Sequence, residues 1–217
     1  MMETAAIICN GDFPKKEYPL YLIRSADHIV CCDGAAAAFM RHSRKIFGYE
    51  RRPDAVVGDL DSLPASLRDR LADLTVKVEE QDFNDLDKAF RHVVSAYPEA
   101  CGIHILGAGG KREDHTIGNL SYLMEYATRY PDLSVDMVSD WTTAFAISDS
   151  CSFQVGEGRG VSIFTADNTL RIKSEGLHWK TDDVIFDNWW KASLNRADSD
   201  EVKLTLSHRA PVLVILD

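Results

Sequence analysis

Ala55-Val56-Val57-Gly58-Asp59-Leu60-Asp61-Ser62 runs from a short apolar β-type segment straight into a turn that carries two carboxylates two residues apart. Gly58 permits close backbone approach at that turn, and Asp59 and Asp61 can both reach one hard cation through oxygen ligands. An Asp-rich turn capping the helix after Pro64 accounts for the same residues without any ligand. What surrounds the stretch decides between these readings.

Similar β-rich runs lie at 5–9, 28–32, 75–78, 103–106 and 133–138, and helical stretches separate them. That alternation predicts βαβ units and a mostly parallel sheet with right-handed crossovers. In such a sheet ligands bind at the carboxyl ends of the strands. Asp33 ends the second run, Asp59 follows the third and Gly107 follows the fifth, so the polar candidates converge on one rim.

A second acid cluster, Gln81-Asp82-Phe83-Asn84-Asp85-Leu86-Asp87-Lys88, follows the fourth run. Leu86, Ala89, Phe90, Val93, Val94 and Tyr97 share one helical face, with Asn84 as N-cap and Asp85 and Asp87 in the first turn. Asp85 and Lys88 fall on one side of that helix, a carboxylate for metal beside an ammonium for phosphate. Capping and surface pairing explain these charges equally well.

The third cluster is Gly107-Ala108-Gly109-Gly110 followed by Lys111-Arg112-Glu113-Asp114-His115. A flexible turn, two cations and a helix amino terminus can cradle phosphates, although the Gly-Lys-Ser/Thr ending of a P-loop is missing and the glycines by themselves read as an ordinary strand-to-helix connection. The helix that begins near Asp114 has Ile117, Leu120, Met124 and Ala127 as its apolar stripe, and His115 and Asn119 share one of its faces. Asn10-Gly11-Asp12-Phe13 after the first run reads by itself as a plain turn, and in this setting it can lie against a nucleotide.

Beyond about Trp141 the texture changes to short glycine-punctuated segments at 153–155, 160–164, 170–172, 202–206 and 212–216. This predicts a smaller antiparallel β-sandwich or barrel after the α/β domain. The boundary is placed between residues 140 and 148, giving domains 1–144 and 145–217.

Composition sets the outer bounds. The 217 residues can bury a substantial core. A formal charge of -10, from 24 Lys+Arg against 34 Asp+Glu, disfavours nucleic acid and anionic membranes as partners. No apolar run is long enough to span a bilayer and no signal peptide is evident, so cytoplasmic residence is the expectation. Five cysteines without paired spacing read as reduced, mostly buried thiols.

In order along the chain, these motifs resemble those of the thiamine pyrophosphokinase family. Asp33-Gly34-Ala35 resembles its Asp-Gly-Gly turn, Gly58 to Ser62 its Gly-Asp-x-Asp-Ser, and Gln81 to Ala89 its Asp-Gln-Asp-x-Thr-Asp-x-x-Lys-Ala segment. Lys111 to Asn119 and Ser193-Leu194-Asn195 resemble the Gly-Arg-x-Asp-His-x-x-x-Asn and late Ser-Asn elements. The chain departs from the pattern at Ala35, Asn84 and Lys111, and at Leu194, which interrupts the last element.

The resemblance implies an α/β ATP-binding domain, a β domain that binds thiamine, and a homodimer with its sites near the interface. It further implies Mg²⁺-dependent pyrophosphate transfer from ATP to thiamine, with thiamine diphosphate and AMP as products. Carried over by position, Asp59, Asp61, Asp85 and Asp114 are the catalytic carboxylates, the first three as metal ligands. Asn10, Gly11, Asp33, Gly34, Lys88, Gly110, Lys111, Arg112 and His115 serve ATP and its phosphates. Gln81, near the carboxylates, together with Asn119, Ser193, Asn195 and Trp179 serves thiamine, with Trp189 and Trp190 as alternative stacking partners. Two competing readings use the same residues: another diphosphotransferase or phosphohydrolase, and a non-catalytic nucleotide or thiamine sensor.

Overall fold

The computed structural model describes residues 3–80 and 82–217. Strands β1 (Glu3–Ile8), β2 (His28–Cys32), β3 (Ala55–Gly58), β4 (Thr75–Lys77) and β5 (Ala100–Leu106) alternate with helices α1 (Glu17–Ser25), α2 (Ala35–Phe47), α3 (Ala65–Arg68) and α4 (Asp85–Ala96). Helix α5 (Glu113–Arg129) and β6 (Ser134–Val138) follow. The remainder is strand and loop: β7 (Thr143–Ile147), β8 (Cys151–Gln154), β9 (Gly160–Phe164), β10 (Ile172–Glu175), β11 (Ala192–Arg196), β12 (Glu201–Leu206) and β13 (Val212–Leu216).

Two compact units result. One runs up to Asn119 and takes in Met137–Asp140; the other comprises Leu120–Asp136 and Trp141–Asp217. The chain thus passes between the units more than once, and the boundary anticipated at 144/145 falls inside β7, which pairs along its whole length with β13.

In the first unit the strand order is β5-β1-β2-β3-β4 and all four pairings are parallel, as the alternation predicts. Ala5 to Ile8, Ile29 to Cys32 and Ala55 to Val57 are buried. Such unbroken apolar runs occur where helices cover both faces of a sheet, and α2 and α4 both pack on β1 and β2. Parallel strands deliver their outgoing connections to one edge, so residues 9–12, 33–34, 58–62 and 107–112 all emerge there.

Helix α4 begins where capping chemistry places it: the Asn84 side-chain oxygen accepts the Asp87 N–H at 3.0 Å. Leu86, Ala89, Phe90 and Val93 are buried along its inner face. It stops before Tyr97-Pro98, as the restriction on a residue preceding proline favours. Helix α5 corrects the stripe expected of it. Ile117 is exposed and Leu120, Met124 and Ala127 are half-buried, while Asn119, Leu123 and Tyr126 form the buried row. A polar residue takes a core position there because its amide finds partners inside, a factor outside an apolar count.

The second unit holds two antiparallel sheets, β11-β9-β13-β7 and β10-β12-β8. Val161, Ile163, Val212 and Val214 from the first share a buried core with Ile172, Val202, Leu204 and Leu206 from the second. This is the anticipated sandwich, its strands alternating inward apolar and outward polar residues, as β12 does in full. Strands β7 and β11 were not anticipated. The first lies at the expected boundary, and the second is too polar and too irregular to carry an alternating signal.

Candidate functional site

The carboxylate rim lies wholly in the first unit. Asp33 leaves β2 with φ 37° and Leu60 sits in the neighbouring turn at φ 68°. A non-glycine residue in this left-handed region costs about 1–2 kcal/mol, so the surrounding bonds must hold both turns. The Asp33 N–H donates to the Val57 carbonyl (2.9 Å), and its carboxylate accepts the Ser62 N–H (3.0 Å). A Cβ at position 58 would stand 2.9 Å from the Asp33 Cβ, which is why glycine precedes the paired aspartates. Asp59 in turn accepts the Asp61 N–H at 3.2 Å.

Asp33 is 3% exposed, and its Oδ1 is buried without a hydrogen-bond partner. Burial pushes its carboxyl above the ordinary range, the Ser62 N–H opposes this, and Asp85 and Asp59 add to the rise. Asp85 is likewise raised, first by burial and then by Asp59, against the pull of Lys88 and His115. The buried Lys88 ammonium stands 3.7 Å from the Asp85 carboxylate. Asp33, Asp59 and Asp85 therefore crowd one another with too little positive charge between them, a field that favours a cation.

Asp61 and Asp59 both act on the Lys77 ammonium, whose direct partner is Glu79 at 2.7 Å. Among the described residues no three carboxylate, imidazole or thiolate groups gather closely enough to hold a metal by themselves. Mg²⁺ typically takes only one or two carboxylates, completing its shell with phosphate oxygens and water. The rim, with an orphaned Oδ1 among raised carboxylates, fits that mode.

The glycine-rich connection after β5 is zipped to the one after β1. Gly11 and Asp12 donate their N–H groups to the carbonyls of Gly107 (2.6 Å) and Gly109 (2.8 Å). Any Cβ on residue 11 would lie 2.3 Å from both of those oxygens. Lys111 completes the tie by donating from Nζ to the Asn10 carbonyl at 2.9 Å. Gly34 stands at the start of α2 and Gly110 shortly before α5, so two helix amino termini open beside these loops.

Other site candidates have protein partners of their own. Asp114 is bound by the Arg112 guanidinium and accepts the His115 N–H, which together hold its carboxyl down to about 2. Asn119 bridges two loops: its Oδ1 accepts from Asn84 at 2.9 Å and its Nδ2 donates to the Ala108 carbonyl at 2.7 Å. Gln81 lies outside the described residues.

One arrangement was missed. Asp87 is 2% exposed and faces Arg91 Nε at 2.8 Å, while Arg91 also reaches Glu80 at 3.0 Å and lies over the Phe83 ring at 4.6 Å. Arg91 thus pins the acid-rich segment to α4. The i,i+4 spacing of Asp87 and Arg91 was the available signal.

In the second unit a pocket of about 260 Å³ is lined by Trp179, Lys180, Thr181, Val184, Lys191 and residues 192–195. Asn195 is buried and works as a clip: its Oδ1 accepts the Trp179 N–H (3.1 Å) and its Nδ2 donates to the Trp179 carbonyl (2.6 Å). Strand β11 bulges here. Ala192 pairs with Ile163 and Asn195 with Val161, so Ser193 and Leu194 together oppose Ser162. The Ser162 hydroxyl accepts the Leu194 N–H at 2.9 Å. The interruption in the Ser-Asn element is therefore a bulge that leaves both Ser193 and Asn195 on the pocket. Of the three candidate tryptophans only Trp179 lines it; Trp189 packs on Phe164.

Comparison with known proteins adds an independent line. The family model for the catalytic domain of thiamin pyrophosphokinase matches residues 20–135, and that for its substrate-binding domain matches 143–214. Thiamine pyrophosphokinase 1 of Arabidopsis thaliana is 30% identical over 152 residues, 63% of this chain and 55% of that protein. The chain thus matches little more than half the length of that relative. The solved thiamin pyrophosphokinase of Geobacillus thermodenitrificans superposes with a TM-score of 0.77 at 20% identity, covering 99% of this chain and 97% of the other. The yeast thiamin pyrophosphokinase does so at 0.77 and 16%, covering 100% and 87%. At these identities the superpositions speak for the fold.

Proposed function

The chain belongs to the thiamin pyrophosphokinase family, and on that premise we propose that it makes thiamine diphosphate by transferring pyrophosphate from ATP to thiamine. The observation that carries the reading is the rim of Asp33, Asp59 and Asp85 around a buried, unpartnered carboxylate oxygen. That is a receptor for a cation that arrives with phosphate, set at the sheet edge where an α/β fold binds ligands.

Asp59 and Asp85, with Asp33 beside them, would hold Mg²⁺, which when bound offsets the negative charge of the polyphosphate. Lys88, buried beside Asp85, holds positive charge at a fixed place on the rim. Arg112 and Lys111 border the glycine loop, which approaches the phosphates through its backbone. The thiamine hydroxyl oxygen bonds to the β-phosphorus as the bond from that phosphorus to the α–β bridging oxygen breaks, and AMP leaves with that oxygen. The hydroxyl proton passes to a carboxylate oxygen of Asp85 or Asp59 that the cation leaves free.

In this reading thiamine occupies the pocket of Trp179, Ser193 and Asn195, with the Trp179 indole as its stacking surface. A homodimer with its sites near the interface, as in the resemblance, belongs to the same proposal. Purified protein given ATP, thiamine and Mg²⁺ should yield AMP and thiamine diphosphate in equal amounts, with AMP formation dependent on thiamine. ADP with thiamine monophosphate would overturn the transfer of pyrophosphate. ATP breakdown indifferent to thiamine would indicate a phosphohydrolase, and ATP binding without turnover a sensor.

A further inference from the structure

Leu194 is the most exposed large apolar side chain described, at 85%, and its backbone sits at φ 59°. Each fact alone is unremarkable, but together they need a cause. A left-handed position at a bulge is easiest for glycine and tolerable for asparagine, whereas leucine is strained there. Burial within the described fold returns almost nothing for that strain, since most of the side chain faces solvent. Local conformation and core packing therefore both argue against leucine, which leaves something that touches the side chain from outside.

Its location says what that is. Leu194 lines the pocket together with Trp179 and Val184, between Ser193 and Asn195. Its backbone is fixed by the Ser162 hydroxyl, and the clip from Asn195 to both backbone groups of Trp179 ties the bulge to the indole. An apolar side chain held out at the lining of a pocket that also carries an indole and the Ser193 hydroxyl suits a ring compound with a polar substituent. We propose that Leu194 is a specificity-determining residue: it packs on the heteroaromatic rings of thiamine in the Trp179 pocket and sets how tightly the acceptor substrate is held. This rests on the thiamine reading above.

The test uses the full chain and Leu194→Gly, which removes the contact and relieves the backbone at once. The KM for thiamine and its Kd by calorimetry should both rise about tenfold, as the loss of one buried apolar contact predicts. KM for ATP should move less than twofold, and kcat at saturating thiamine should fall less than the KM rises. Thermal stability should hold or increase, because glycine accepts the left-handed position. Leu194→Met, which keeps an apolar chain, should recover most of the affinity.

A thiamine KM within twofold of the parent in Leu194→Gly would overturn the inference, as would an equal rise in the KM for ATP. So would a weakened self-association by light scattering with thiamine binding intact, since Leu194 would then serve contact with a second copy. A parent protein that binds no thiamine sinks the functional reading itself. A parent that binds it, beside an unaffected Leu194→Gly, sinks only the role of Leu194.

Discussion

The carboxylate rim and the tryptophan pocket are built by opposite means. The rim stands on the ends of buried parallel strands, where short connections and a dense set of backbone hydrogen bonds fix each carboxylate. The pocket stands on a bulged edge strand and an irregular stretch from 176 to 191, tied by one asparagine clip. The rim gathers charge that the fold has trouble tolerating, whereas the pocket gathers apolar and hydrogen-bonding groups that it tolerates easily. Chemistry common to a reaction class suits the first construction, and discrimination among substrates suits the second.

The comparison breaks most decisively at the rim. Asp85→Asn should lower turnover about 10²-fold or more while leaving the melting temperature within a few degrees, because the relief of crowding with Asp59 offsets the charge taken from beside Lys88. Near-normal turnover at limiting Mg²⁺ would dismiss the rim as the reaction centre. Gly11→Ala should do the reverse, costing about 2–3 kcal/mol by denaturant unfolding, since its Cβ meets two carbonyl oxygens and the zipped loops must part. An unchanged midpoint would show that the loop zipper is dispensable.

Trp179→Ala probes the pocket. Loss of a stacking face should raise the thiamine KM about tenfold with little change for ATP, and steady-state kinetics varying each substrate in turn measure the split. Asn84→Ala should cost about 1 kcal/mol through its cap on α4 and the lost bond to Asn119. A helix signal and unfolding midpoint equal to the parent's would show that the cap is redundant.

The smallest effect is a pH dependence in the second unit. The Asp167 carboxyl is held well below the usual range, first by the Thr169 hydroxyl and then by His208. A depressed carboxyl contributes stability above its unfolded value and loses it as pH falls through its folded one. Asp167→Asn should therefore lower the melting temperature slightly at pH 7, and the gap should close as pH drops below about 4. A gap that stays constant over that range would mean the carboxylate's charge plays no part.

Much of this was open to inspection in the residues. Strands 28–32, 160–164 and 212–216 fall where alternation puts them, and Asn84 caps α4 as its position implied. Burial of a polar residue was less visible. Asn119 shares a helix face with His115, yet it turns inward to bridge two loops. Asp87 looked like support for a helix start, and the fold makes it the buried partner of Arg91. Leu194 looked like an interruption, and the pairing of β11 with β9 makes it a bulge.

The sequence by itself determined the α/β unit, the sandwich after it and the order of the motifs, because periodicity and turn chemistry act over a few residues and leave a local record. Tertiary structure alone decided that Asp33 is buried on that rim with one carboxylate oxygen unpartnered, that Asp114 turns to Arg112, and that Leu194 is pushed outward. The first and last of those depend on which strand lies beside which, and residues distant along the chain set that; the pairing of Asp114 with Arg112 is local, two residues apart, and only the folded turn shows that it forms.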